Sequence, residues 1–100
     1  MTTLHILNSP PATSSQLKSC LRVLSAGDGI VLTGEAVQAL RAGSAAAQKL
    51  LACEQNYRLY ALQEDVQARA IDTAHMPVTL LDYPAFVALC VEYARVNSWT

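Results

Sequence analysis

The chain has 100 residues, of which 52% are hydrophobic and only 15% are charged, and its formal net charge at pH 7 is −1. This length predicts a single domain over residues 1–100 with one packed core. The seven basic residues are scattered along the sequence, which argues against direct nucleic-acid binding, and no apolar run approaches the ~20 residues that span a bilayer.

The first predicted elements are a strand and an amphipathic helix. The strand covers Thr3–Leu7 and ends before the prolines at 10–11, because proline cannot donate to a strand ladder. Thr13 and Gln16 have the spacing of a capping box, so we expect the helix to begin there and to stop near Gly27. Its apolar stripe consists of Leu17, Cys20, Leu21 and Leu24.

The rest of the chain continues the alternation of strand and helix. The later predicted strands are Ile30–Leu32, Arg58–Leu62 and Val78–Leu81. The later predicted helices are Glu35–Arg41, an alanine-rich helix from Ser44 to about Cys53, Glu64–Ala70 and Tyr83–Val96. Apolar strands separated by helices predict an α/β fold, a three-layer α/β/α domain with a mostly parallel four- or five-stranded sheet.

The last predicted helix is apolar on two sides. One stripe consists of Phe86, Leu89, Cys90 and Tyr93, and a second consists of Val87, Val91 and Ala94. A helix that is apolar on two sides needs two buried contacts, so one side is expected to pack on the sheet and the other on a partner protein. The alternative is a helix buried on both sides in its own core. The low charged fraction, against roughly 25% in a typical domain, favours the partner.

Cys20 is the candidate residue for covalent chemistry, as a persulfide carrier, because a thiolate can accept or attack sulfur. Its place on an apolar stripe favours the alternative, a packing or interface role. Cys53 and Cys90 also lie on apolar helical faces and are interpreted as structural. His5 is expected to be a hydrogen-bonded core or interface residue, and His75 has no nearby partner for a triad.

No cofactor or metal is predicted. The glycines near the second strand do not open a helix as a dinucleotide fingerprint must, and no metal-ligand spacing of Cys and His occurs. Residues 13–15 could receive an anion at a helix N-terminus, with simple capping as the favoured alternative. Three widely spaced cysteines and the lack of a secretory signal predict a cytoplasmic location.

Several short motifs follow one another along the whole chain. They are Leu4-His5, Ser9-Pro10, Gly27-Asp28, Glu35-Ala36-Val37, Tyr60-Ala61-Leu62, Asp65-Val66-Gln67-Ala68-Arg69, Asp82-Tyr83-Pro84-Ala85-Phe86-Val87 and Ser98-Trp99. In this order they resemble the DsrH/TusB family of sulfur-relay subunits. Two positions depart from that family: Glu35-Ala36 stands where Asp-Gly is frequent, and Ala70 stands where glycine often follows the arginine.

The resemblance implies a subunit of a heterohexamer with TusC/DsrF-like and TusD/DsrE-like partners, in which persulfide sulfur passes between carrier proteins. In that family the catalytic cysteine belongs to the TusD/DsrE-type subunit, so a non-catalytic or accessory role is implied here, with 2-thiolation of the tRNA wobble uridine as the end point. Cys20 matches a cysteine of DsrH-type members, so a sulfur-carrying subunit or a role in sulfur oxidation is the alternative. A small-molecule sensor that binds at the strand ends is a third hypothesis, without a motif behind it.

Overall fold

The computed structural model describes residues 2–53 and 56–99. The strands are β1 (Thr3–Leu7), β2 (Gly29–Leu32), β3 (Arg58–Leu62), β4 (Val78–Leu81) and β5 (Arg95–Ser98). The helices are α1 (Gln16–Val23), a 3₁₀ helix (Gly34–Leu40), α2 (Ala45–Ala52), α3 (Gln63–Ala68) and α4 (Tyr83–Glu92). All strand pairs are parallel, in the order β4-β3-β2-β1-β5, which confirms the predicted α/β class.

The strand order decides which helix covers which face of the sheet. β1 to β4 follow one another across the sheet, so right-handed crossovers place α1, the 3₁₀ helix, α2 and α3 on one face. The last crossover returns from β4 to β5 at the opposite edge and places α4 on the other face. No helix in the described residues is long and apolar enough to cross a membrane.

The two faces of the sheet have cores of unequal size. The larger core lies under the four helical segments and includes Leu7, Ile30, Leu32, Val37, Leu40 and Ala61. The smaller core consists of Leu4, Val31, Tyr60, Leu81 and Leu89, with Phe86, Cys90 and Tyr93 packed against it. Period-two alternation along each strand separates the two sets. One helix of ten residues, α4, packs on the smaller core.

The prediction of a helix over Tyr83–Val96 is wrong at its C-terminal end. The helix stops at Glu92, and Arg95–Ser98 forms β5, which pairs with β1 in the register of Thr3 with Arg95. The outer edge of β1 would otherwise present unpaired backbone groups, and β5 satisfies them. Trp99 extends the pairing by donating its backbone N–H to the carbonyl oxygen of Ile6 at 2.9 Å.

The predicted capping box at Thr13 and Gln16 is also wrong. Helix α1 begins at Gln16 after Ser15, with no side-chain cap, and ends at Val23. The Gln16 side chain turns back to β1 instead, where its Oε1 accepts hydrogen bonds from the backbone N–H groups of Asn8 (2.9 Å) and Ser9 (3.1 Å). Gln16 therefore fixes the loop after β1, because it satisfies donors that follow the strand end.

Two further boundaries differ from prediction. The segment predicted as a helix over Glu35–Arg41 is the 3₁₀ helix. The helix predicted over Glu64–Ala70 is α3, and it ends in a Schellman motif: Ala70 N–H bonds the Gln67 carbonyl and Ile71 N–H bonds the Val66 carbonyl. Ala70 accordingly has φ of 51°, in the left-handed region that glycine adopts most easily.

Candidate functional site

Cys20 lies in the larger core, between α1 and the sheet. Its exposed fraction is 0%, and it packs with the leucines of the α1 stripe. Burial raises the pKa of the Cys20 thiol to about 12, with smaller contributions from the negative charge of Asp28 and from Cys53. A thiol in this environment is protonated at neutral pH, whereas nucleophilic and sulfur-accepting chemistry requires the thiolate.

The other two cysteines are nearer to the surface. Cys53 follows α2 and Cys90 lies on α4, and both are partly buried free thiols. Cys53 packs against the larger core and Cys90 against the smaller one. Cys20 and Cys53 therefore share the larger core, where the pKa of the Cys20 thiol responds to Cys53, and Cys90 lies on the other face of the sheet.

His5 belongs to a chain of hydrogen bonds that joins β1 to Asp28 and to Trp99 after β5. Its Nε2 lies 3.1 Å from Asp28 Oδ2, and its Nδ1 lies 3.1 Å from the indole nitrogen of Trp99. Since the indole N–H can only donate, Nδ1 must accept, and the ring proton must sit on Nε2 and point at Asp28. Both ring nitrogens are thus engaged, which confirms a hydrogen-bonded core histidine.

Asp28 anchors this chain of bonds through both carboxylate oxygens. Oδ1 accepts from the Thr3 backbone N–H at 2.9 Å, and Oδ2 accepts from Ser25 N–H at 3.0 Å as well as from His5. Burial by itself raises the pKa of Asp28, but the three donors outweigh it and hold the pKa below its ordinary value. Asp28 therefore stays ionised and ties β1 to the turn before β2.

Two further carboxylates, which follow β3 and β4 in the chain, have structural partners. Asp65 accepts a hydrogen bond from Gly34 N–H at 2.8 Å, and Asp82 caps α4 by accepting from Ala85 N–H at 2.9 Å. Arg69, whose partner the sequence did not identify, pairs with Glu35 at 2.6 Å. His75 lies exposed in the loop before β4. In the described residues no group of three or more His, Cys, Asp or Glu side chains could hold a metal ion.

The outer surface of α4 carries an exposed apolar row. Tyr83, Val87 and Val91 follow one another at four-residue spacing, with exposed fractions of 57%, 56% and 81%; we call these three residues the outer α4 face. Seven of the ten α4 residues are exposed, and Glu92 is the one charged residue of the helix. The two apolar sides predicted for this helix are therefore present, one on the sheet and one in solvent.

A cavity lies at the N-terminal ends of α1 and α2, and Ser14, one of the residues considered above as an anion site, lines it. Its volume is about 420 Å³, and Lys18, Arg41 and Lys49 lie around it. These residues are widely separated in the sequence, and only the fold brings them together. Spacing along the chain gave no signal for this cluster.

Comparison with known proteins places the chain in a family. The model of the family described as DsrH like protein matches residues 9–96. Protein TusB of Serratia proteamaculans (strain 568) is 37% identical over 98 residues, which cover 96% of this chain and 99% of that protein. Protein TusB of Pectobacterium parmentieri is 36% identical over 97 residues, with the same coverage of both chains.

Solved structures show the same fold at lower identity. The ychN protein from E. coli superimposes with a TM-score of 0.72 at 18% identity, over 98% of this chain and 99% of that chain. Protein Tm0979 from Thermotoga maritima has a TM-score of 0.63 at 21% identity, over 89% and 91% of the two chains. The chain belongs to the DsrH-like family, as its ordered motifs indicated.

Proposed function

We propose that this DsrH-like chain is a non-catalytic or accessory subunit of a sulfurtransferase complex of the TusBCD/DsrEFH type, which relays persulfide sulfur for 2-thiolation of the tRNA wobble uridine. Its partners in the cytoplasm are a TusC/DsrF-like and a TusD/DsrE-like subunit, arranged with it in a heterohexamer. The chain contributes one domain, residues 1–100, and contacts neither nucleic acid nor membrane directly. Family membership supports the relay, and the name TusB of its relatives supports the Tus pathway.

The outer α4 face is the observation that carries the subunit role. Valine and tyrosine side chains gain on the order of 1.5–3 kcal/mol each when fully buried. A monomer would leave Val91 four-fifths exposed, on a helix with almost no charge to hydrate it. Val96 of β5 is also 45% exposed, and it points to the side of the sheet that α4 covers, because it pairs in register with Leu4. A partner subunit packed on this side would remove both from water.

The environment of Cys20 supports the non-catalytic role over sulfur transfer by this chain. A sulfur acceptor must meet its donor at the surface as a thiolate, and Cys20 is both fully buried and protonated. Its position next to α1 leucines is that of a small apolar core residue. The sulfur that passes through the complex is therefore assigned to a cysteine of the TusD/DsrE-like partner.

Co-expression with the two partner subunits tests this proposal. The three chains should co-purify at the mass of a heterohexamer. After incubation with a persulfide donor, intact-mass measurement should find the adduct of roughly 32 Da on the TusD/DsrE-like subunit. An adduct on Cys20, together with loss of relay by the Cys20→Ala variant, would establish the sulfur-carrying alternative instead.

The pathway is tested separately by the modified nucleoside. Deletion of the gene should remove 2-thiouridine derivatives from the wobble position of the tRNAs that carry them. Intact thiolation combined with impaired oxidation of stored sulfur would assign the chain to the DsrH-type pathway, while leaving its role as a subunit in place.

A further inference from the structure

The cavity of about 420 Å³ has the size and position of a ligand site. It lies between the loop after β1, the first turns of α1, the end of the 3₁₀ helix and the start of α2. Small-molecule sites in proteins enclose roughly 300–1,000 Å³. In parallel α/β sheets such sites lie outside the carboxyl ends of the strands, and this cavity adjoins the carboxyl end of β1.

The wall of the cavity is mainly apolar. Pro10, Pro11, Leu17, Ala45 and Ala46 contribute to it, and Ser14, Gln38 and Ser44 supply neutral polar groups. The Ser14 and Ser44 hydroxyls accept hydrogen bonds from Gln16 and Ala47 N–H groups, so both already have a backbone partner. An apolar surface of this shape binds a hydrophobic body and gives little to a bare inorganic ion.

The charge around the cavity is positive and uncompensated. Lys18, Arg41 and Lys49 are three of the seven basic residues of a chain whose net charge is −1, and among the described residues no Asp or Glu lines the cavity. Between described residues, the ion pairs of Lys and Arg within 4 Å are those of Arg69 with Glu35 and Asp65. Three like charges gathered over a low-dielectric wall repel one another and attract an anion.

Two hydrogen bonds hold the side chain of Arg41 in place at the edge of the cavity. Its Nε donates to Gln38 Oε1 at 2.5 Å, and its Nη2 donates to the backbone carbonyl of Arg69 at 3.2 Å. These bonds fix the guanidinium plane and leave Nη1 without a partner among the described residues. A guanidinium held in place loses less conformational entropy when it binds an anion than a free side chain does.

We propose that this cavity binds a small organic anion that has an apolar body and two negatively charged groups of the carboxylate, sulfonate or phosphate class. A neutral apolar ligand would bury the cationic rim without compensation, and an inorganic anion would leave the apolar wall in contact with water. Nucleic acid would require a longer run of cations along its backbone than three residues provide. The site is separate from the outer α4 face, so it does not depend on the assembly proposed above.

Naphthalene disulfonate is a suitable probe, because it combines an apolar body with two fixed charges. Titration of the isotopically labelled full chain, co-purified with its partners if they are required, should shift the amide resonances of Leu17, Lys18, Ala45 and Ala46. Binding should saturate with a Kd below about 1 mM and weaken with added salt. Naphthalenediol and inorganic sulfate, tested alone, should produce no saturable shift of these resonances.

Matched variants separate this site from general charge attraction. The double variant Lys18→Gln/Lys49→Gln should weaken binding by about tenfold or more, because it removes two of the three cations. Arg22→Gln/Arg58→Gln changes the net charge equally outside the cavity, so its affinity should stay within about twofold. Ala45→Glu places a carboxylate at the first residue of α2, where a negative charge stabilises the helix. The carboxylate should repel the anion and abolish binding.

Three outcomes would overturn the proposal. They are equal binding of naphthalenediol, equal affinity of the Lys18→Gln/Lys49→Gln variant, and resonance shifts confined to the outer α4 face. Saturable binding of an acidic peptide at Ala45 and Ala46, with naphthalene disulfonate inactive, would also overturn it, because the site would then be a protein contact. Circular dichroism on each variant must show an intact fold before affinities are compared.

Discussion

The indole N–H of Trp99 donates a hydrogen bond to Nδ1 of His5 at 3.1 Å, across 94 positions of sequence. The two rings also pack with centroids 6.1 Å apart. This contact holds Trp99 against β1 on the larger-core side, next to the backbone pairing of β5 with β1. It also fixes the histidine tautomer, since the acceptor nitrogen must be unprotonated.

Removal of the indole donor should destabilise the protein. In Trp99→Phe, Nδ1 of the buried His5 loses its partner, and an unsatisfied buried acceptor costs about 1–3 kcal/mol. Chemical denaturation should measure this loss. In a His5→Leu background the same substitution should cost less, because the bond is already absent. Equal penalties in both backgrounds would show that the Trp99–His5 bond does not contribute to stability.

Asp28 should make the stability of the protein depend on pH in the acid range. Its pKa is lower in the folded state than its ordinary value of 3.8, so its stabilising effect is complete at neutral pH. The effect is lost as the pH falls through the folded pKa. In Asp28→Asn, the free energy of unfolding at pH 7 should fall by on the order of 1–3 kcal/mol.

The pH profile separates the charge of Asp28 from its packing. The difference between wild type and Asp28→Asn should shrink as the pH is lowered from 5 to below 3.8. His5 is the titratable side chain that is hydrogen-bonded to Asp28. The negative charge of Asp28 also raises the pKa values of Cys20 and Tyr93. Asp72→Asn, on an exposed loop, is the matched control and should stay within about 0.5 kcal/mol at each pH. A difference independent of pH would contradict the assignment.

Ala70→Gly should stabilise the protein, although glycine usually destabilises. Ala70 has φ of 51°, where an L side chain costs roughly 1–2 kcal/mol, against roughly 0.5–1 kcal/mol for the extra entropy of glycine. The net gain is about 0.5–1 kcal/mol and should appear as a higher Tm. Ala52→Gly in α2 is the control and should lower it. A lower Tm for Ala70→Gly would show that the backbone of Ala70 is not strained at this φ.

Cys20 should be the least reactive of the three thiols. With a pKa of about 12, on the order of one part in ten thousand is thiolate at pH 8, and the sulfur is inaccessible. Iodoacetamide should label the partly buried Cys53 and Cys90 first, and Cys20 only under unfolding conditions; peptide mass spectrometry reads each rate. Labelling of native Cys20 as fast as Cys53 would reopen a chemical role for it.

The sequence predicts those parts of the fold that local patterns determine. Runs of apolar residues predicted β1, β2, β3 and β4, and the spacing of apolar residues predicted the two apolar sides of α4. β5 was missed because its residues are all exposed and Val96 extends the helical period of α4. Its strand conformation is determined by the open edge of β1, which is a tertiary effect.

The turn at the end of α4 also depends on tertiary packing. A Cβ on Gly29 would lie 2.5 Å from the Tyr93 hydroxyl, so the glycine leaves room for this ring at the point where the helix stops. The cavity with Lys18, Arg41 and Lys49 is likewise a product of the fold. The burial of Cys20 agrees with the packing role that its apolar stripe favoured.

The mass of the co-expressed complex, measured by light scattering on variants of the outer α4 face, tests the subunit role most directly. Val87→Asp/Val91→Asp should leave the chain folded, since both positions are exposed, but weaken its association about a hundredfold or more, because a carboxylate would be buried in the interface. Leu51→Asp, equally exposed on α2, should assemble as wild type does. Full assembly of the Val87→Asp/Val91→Asp variant would contradict an interface at α4.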